Sequence, residues 1–315
     1  MSATASATSR SASASASPYS GYSILALSKT APSGLFITGS AKLTALGGGV
    51  QVNSNAAAVA YTSSAFYVGN MGSITAPSIA VVGTTWLQPN GVGTVSPSTP
   101  SVGSVVADPL ANASPPISPP TLSSAQAQGT YPNFSTANGA NVTMNQGYYP
   151  NGVNIGYSTV KMNPGTYYIA GGNFYVANAA TLSGTGVTIY LSSTASTNNG
   201  TSPVSNAAVS IQSATSVVLS APSSGTYKGI LFYVDPANSS GVQFGNNQTT
   251  LNLTGTIYAP SSLVDVTGYS SQALYVGSQI IANTVRVENN AQVTVSYNKS
   301  NVAGSVSSSS LALVK

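Results

Sequence analysis

From Ser23 onward the chain is written as short apolar runs separated by Gly, Asn, Ser and Thr. In the first part these runs fall at 24–27, 34–38, 50–52, 65–68 and 79–82. They carry β-branched and aromatic side chains, and the turn formers between them would break a helix, so they predict strands. The texture returns at 164–172 and continues through 174–176, 180–182, 187–191, 209–211, 217–219, 230–234, 251–253, 256–258, 263–266, 279–281, 285–287 and 293–295. Many short strands at a spacing of roughly 8 to 12 residues point to a repeat architecture.

Two stretches break the pattern. In residues 1–22, Ser11, Ser13, Ser15 and Ser17 alternate with alanine ahead of Pro18. This arm reads in two ways. It is either a flexible segment that buries too little surface to offset its ordering, or a donor strand suited to the sheet edge of a neighbouring copy. Residues 84–130 crowd together Pro89, Pro97, Pro100, Pro109, Pro115, Pro116, Pro119 and Pro120, and they hold the single tryptophan, Trp86. Each proline removes a ladder donor, so this stretch is predicted to be an irregular excursion. It is either a mobile linker or a flap packed on the body by Trp86, Val105, Val106, Leu110, Ile117 and Leu122, with Trp86 as the candidate anchor. The remaining segments are a first part of the body at 23–83, a main body at 131–300 and a Ser-rich tail at 301–315.

A β-sandwich would also show short strands, and composition separates the two. Charged residues make up 4% of the chain, against about 25% in an ordinary soluble domain. Stacked β-coils place like residues above one another at about 4.8 Å. Charges in such a ladder would repel, whereas Asn, Ser and Thr pair without charge. The expected fold is therefore all-β, a right-handed parallel β-helix (solenoid) with a Pro-rich excursion and an extended N-terminal arm. A sandwich is the alternative. About a dozen coils of about 20 residues would give a body about 60 Å long. Its ends would be sheet edges that need caps or invite end-to-end association.

The same composition excludes functions. Eight basic residues scattered over 315 positions form no phosphate-neutralising stripe, so the formal charge of +4 does not point to nucleic acid. No run approaches 18 apolar residues, which argues against a membrane span. The first residues lack the basic and apolar regions of a secretory signal, which leaves processing or another export route. His and Cys are absent, removing thiolate nucleophiles and His-based triads. The acidic inventory is Asp108, Asp235, Asp265 and Glu288. Asp108 and Asp235 each precede proline and read as loop or turn residues. Asp265 and Glu288 lie roughly one coil apart and are neighbours of Arg286 in the expected stack. They are the sole weak metal candidates, and an ion pair is the simpler reading. No catalytic residue, cofactor site or firm metal site is expected, and the protein does not read as an enzyme.

Several phrases resemble a known family: those at 24–27, 47–55, 74–83, 107–110, 164–172, 184–191, 227–233 and 253–260. In that order they are similar to the β-helical region of Flp (Tad) pilus-assembly proteins of the TadE/TadG-like class, over about residues 23–297. The resemblance implies a surface or pilus-associated protein. Those proteins carry an N-terminal membrane segment that this sequence does not show, which turns the expectation toward a released or filament-forming subunit.

The functional expectation is a structural subunit of an extracellular filament, pilus-like fibre or surface layer at the cell surface. It would self-associate by end-to-end stacking or by exchange of the arm, with Ser11, Ser13, Ser15, Ser17 and Trp86 as assembly residues. The alternative is a monomeric adhesin or carbohydrate-binding module that touches glycans through exposed tyrosines.

Overall fold

The computed structural model describes residues 21–58, 60–88, 93–111, 120–193, 207–245, 250–268 and 273–303. In chain order, β1 (Tyr22–Ala26), β2 (Leu35–Ile37) and β3 (Lys42–Leu46) make one turn of a coil. The next turns are β4 (Gly49–Val52), β5 (Phe66–Val68) and β6 (Ser73–Thr75), then β7 (Ile79–Val81), β8 (Thr85–Leu87) and β9 (Thr94–Ser96), with β10 (Ser101–Val102) beginning another. After a short helix, α1 (Leu122–Ala127), coiling resumes with β11 (Phe134–Ser135) and β12 (Asn141–Met144). Full turns follow: β13 (Gly147–Tyr149), β14 (Val153–Gly156) and β15 (Thr159–Met162); β16 (Gly165–Ile169), β17 (Phe174–Ala177) and β18 (Thr181–Thr185); β19 (Val187–Leu191), β20 (Ala207–Gln212) and β21 (Ser216–Ser220). The series ends with β22 (Ile230–Val234), β23 (Gly241–Gly245) and β24 (Thr250–Thr254), then the long β25 (Thr256–Gly268) with β26 (Ala273–Val276), and the long β27 (Ile280–Asn289) with β28 (Gln292–Ser296).

Every strand pairs in parallel with the strands one turn away, in two sheets of 18 and 10 strands. The larger sheet is two columns fused by β25 and β27, which turn a corner and serve both. The result is an all-β, three-columned, solenoid-like stack. Its height is about 43 Å, from nine steps of about 4.8 Å. This is shorter than the dozen coils expected, because the described residues of 104–129 add no strand to the coils.

Burial explains the two kinds of strand in the sequence. In the ten-stranded column burial alternates, as in β15, β21 and β28, with Val160, Val217 and Val293 inward and Thr159, Val218 and Thr294 outward. In β19 and β22, in the middle of their column, every residue is buried, because both sides of these two strands are covered and they read as nearly continuous apolar runs. No helix among the described residues is long and apolar enough to cross a membrane.

Spatial order departs from chain order. The last coil of the main body, β27 and β28, stacks on the first coil of the chain. β1 pairs with β27 through Ile24 and Ile280, β2 with β27 through Leu35 and Val285, and β3 with β28 through Leu43 and Val293. Residue 21 therefore lies in the middle of the stack. Residues 21–103 build one block from that joint outward. After β10, residues 104–111 lie against the side of the body beside the joint, α1 lies at the far end, and residues 130–297 return from there to the joint.

The stretch read as a Pro-rich excursion at 84–130 is thus divided. Its first part supplies β8, β9 and β10, with Pro97 and Pro100 falling in the corner between β9 and β10, where no ladder donor is needed. Of the rest, 104–111 and 120–129 lie on the body as a strap, and 112–119, with Ile117, fall outside the described residues.

Candidate assembly surfaces

One end of the stack is formed by β8, β9 and β10. Register places Leu87 over Val68, Val95 over Ile74 and Val102 over Val81, so the three continue the core rows. Val68, Ile74 and Val81 are buried, but Val102 is 93% exposed and Leu87 38%. Among the described residues no strand pairs with the outer edges of these three. At the other end Tyr131 stacks on Tyr149 with ring centroids 5.0 Å apart, and Phe134 meets Tyr149 edge-on at 5.8 Å. Half-buried Val142 completes that apolar end.

Trp86 lies in β8 at the open end, opposite Tyr67. Its ring stacks on Tyr67 at 5.1 Å, and Tyr67 stacks on Phe36 at 4.7 Å. It is the outermost ring of a register ladder and does not anchor the strap, because the strap leaves the body after β10 and runs over a different column. Ser11, Ser13, Ser15 and Ser17 lie outside the described residues.

The strap covers a second ladder. Tyr148, Tyr168, Tyr190, Tyr233 and Tyr258 are register partners on successive strands. Their neighbouring rings are 4.8 to 5.7 Å apart, within the range favourable for tilted aromatic pairs. Leu110 packs with Tyr190, Tyr233, Tyr258, Ile281 and Leu25 in a satellite core outside the column, where Val302 and Ala303 also lie. The Tyr258 hydroxyl donates to Asp108 Oδ2 at 2.8 Å, and the Tyr190 hydroxyl donates to Asp235. Burial first, then the nearby aspartates, push the Tyr233 hydroxyl up to about 12 and raise those of Tyr190 and Tyr258 further. Closer to β10, Gln51 Nε2 donates to the Ser104 carbonyl, and Asn53 both donates to the Val106 carbonyl at 2.7 Å and accepts from its N–H at 2.9 Å. Helix α1, capped by Thr121, packs on β13 and β16.

Asp265 and Glu288 meet around Arg286. Asp265 stands opposite Arg286 in the register of β25 and β27, and the guanidinium donates to both carboxylate oxygens, at 3.0 and 2.7 Å. Glu288 is 3.7 Å from Arg286 Nε. Burial, helped by Asp265 and opposed by Arg286, raises the Glu288 pKa. The bidentate pair occupies the Asp265 oxygens that a cation would need. No group of three or more potential metal ligands occurs among the described residues.

Sequence reasoning did not place the strap over this tyrosine ladder, and it missed the joint. No family model, no curated protein and no solved structure matches this chain.

Proposed function

We propose that the protein is a non-catalytic structural subunit of an extracellular filament or surface layer, of the pilus-associated kind that its phrases resemble, and that copies add end to end. The observation that supports this is the open coil at β8–β10, where Leu87, Val95 and Val102 extend the core rows into solvent. The right-handed coil belongs to the same proposal, since a strand that returns parallel in its own sheet does so right-handedly in nearly all proteins. Because all strands are parallel, a second copy continues the strand direction only by presenting its opposite end, with Tyr131, Phe134 and Val142. Such head-to-tail contact is heterologous and makes open filaments. The low charge leaves little repulsion between stacked copies.

Electron microscopy and light scattering of concentrated protein test the reading. Filaments or head-to-tail oligomers are expected, and Val102→Asp should remove them while the circular dichroism stays that of the parent. A strictly monomeric parent at high concentration overturns the reading. Deleting residues 1–20 asks separately whether the arm takes part.

A further inference from the structure

We propose that the joint between the two coil blocks is an exchange interface, at which the 130–303 block of one copy accepts the 21–103 block of a second copy. The proposal concerns the middle of the stack and goes beyond end-to-end addition.

The joint is an end-to-end contact already made inside one chain. Its three columns continue across it in register, with Ile24, Leu35, Ile37, Leu43 and Ala45 buried against Ile280, Val285, Val287, Val293 and Val295. Main-chain bonds cross at the corners: Leu27 N–H donates to Ala282 at 2.7 Å, Thr38 N–H to Val287 at 3.1 Å and Tyr297 N–H to Leu46 at 2.7 Å. Backbones approach so closely that glycine is required. Gly39 (φ +71°) and Gly47 (φ +72°) would carry a Cβ 2.7 Å from the Asn289 and Tyr297 carbonyl oxygens. Such a fit is specific for these two surfaces, yet the strap is the sole covalent link between the blocks.

The strap's own contacts divide in a way that permits exchange. Residues 104–110 lie on Gln51 and Asn53 of the smaller block and on Tyr258 and its neighbours, the coils next to the joint. Helix α1 lies on β13 and β16 at the far end. A body assembled from two copies makes the same contacts at both places, because 104–110 travel with the smaller block and α1 stays with its own larger block. Between them the sequence runs through 112–119 with Pro115, Pro116 and Pro119, a length that can span about 25 Å when extended. Closed and exchanged forms thus share the named contacts and differ by the effective concentration that the strap supplies, about millimolar for a short tether.

The chain has no cysteine, which makes the test clean. Thr44 and Thr294 are register partners across the joint, both half-buried, and the strand spacing of about 4.8 Å suits a disulfide. A Thr44→Cys chain and a Thr294→Cys chain are unfolded in urea, mixed, refolded together at increasing concentration and oxidised. A covalent heterodimer linked between positions 44 and 294 is expected, its ratio to monomer rising about tenfold for a tenfold rise in concentration. The double variant Thr44→Cys/Thr294→Cys is the control and should close within one chain. If the control closes while the mixture gives no heterodimer at any concentration, exchange is overturned. If the control itself does not close, the joint is not as described and the proposal falls with it. End stacking leaves positions 44 and 294 apart, so filaments without heterodimer, or heterodimer without filaments, separate this proposal from the one above.

Discussion

Raising the pH above 10 should unfold the stack in one cooperative step. Tyr149, Tyr167, Tyr190, Tyr233 and Tyr258 are each at most 4% exposed, and burial raises the pKa of every one, that of Tyr233 to about 12 and the others beyond it. The unfolded chain ionises these hydroxyls near 10 and the native chain does not. Above pH 10 the native state therefore holds more protons, and stability falls as pH rises. The loss is about 1.4 kcal/mol per pH unit for each tyrosine, or about 7 kcal/mol per unit for the five. Against a typical stability of about 5 to 15 kcal/mol, the midpoint should lie about one to two units above pH 10. Tyrosinate absorbance at 295 nm and far-ultraviolet circular dichroism, recorded together, are the assay. The five buried tyrosines should ionise together with the loss of sheet signal. A single smooth titration of all 18 tyrosines near pH 10, with the dichroism intact, would refute the burial argument.

Three further outcomes follow from the charged cluster and the joint. Arg286→Ala leaves Asp265, 6% exposed, without its bidentate partner, and because the guanidinium is itself partly exposed the cost in urea unfolding should be about 1 to 3 kcal/mol, whereas Asp265→Leu with Arg286→Met should recover most of the loss. Glu288 has a raised pKa in the folded state, so its contribution to stability is fully present below the ordinary glutamate value and is lost as pH rises through the folded value. Glu288→Gln should flatten that part of the stability curve, above the ordinary glutamate value. Gly39→Ala, at φ +71° and facing the Asn289 backbone, should lower stability by more than about 1 kcal/mol, read as a lower midpoint in thermal melting.

Local chemistry made the strands legible. The run 230–234 shows unbroken apolar character, and 187–191 is broken only by Thr188, because both sides of these two strands are covered. β3 and β6 are less visible, since Lys42–Leu46 turns Leu43 and Ala45 inward and Ser73–Thr75 turns in Ile74 alone. Helix α1 had one signal, Thr121 accepting from the Ser124 N–H as a cap, but six residues without an apolar stripe give no helical period. The Pro-rich stretch announced an excursion, and Val106 and Leu110 among its apolar residues do pack on the body. Its starting point was misread because Pro97 and Pro100 look alike whether they sit in a loop or in a coil corner. The joint left no local trace. Pairing Ile24 with Ile280 depends on where each block ends in space, and neither residue's neighbours encode that.

The joint also dictates an order of folding. The strands that meet there are separated by some 250 positions, as Ile24 and Ile280 are, so the longest loop in the molecule closes last and slowly. On a ribosome the 21–103 coils emerge first and present the face that will later receive β27 and β28 while most of the chain is still unmade. For that interval an apolar surface of Ile24, Leu35 and Leu43 is exposed, a hazard of the kind that makes slow parallel sheets dependent on chaperones. A cell producing this protein must therefore keep each nascent N-terminal block away from its neighbours until the matching coil arrives.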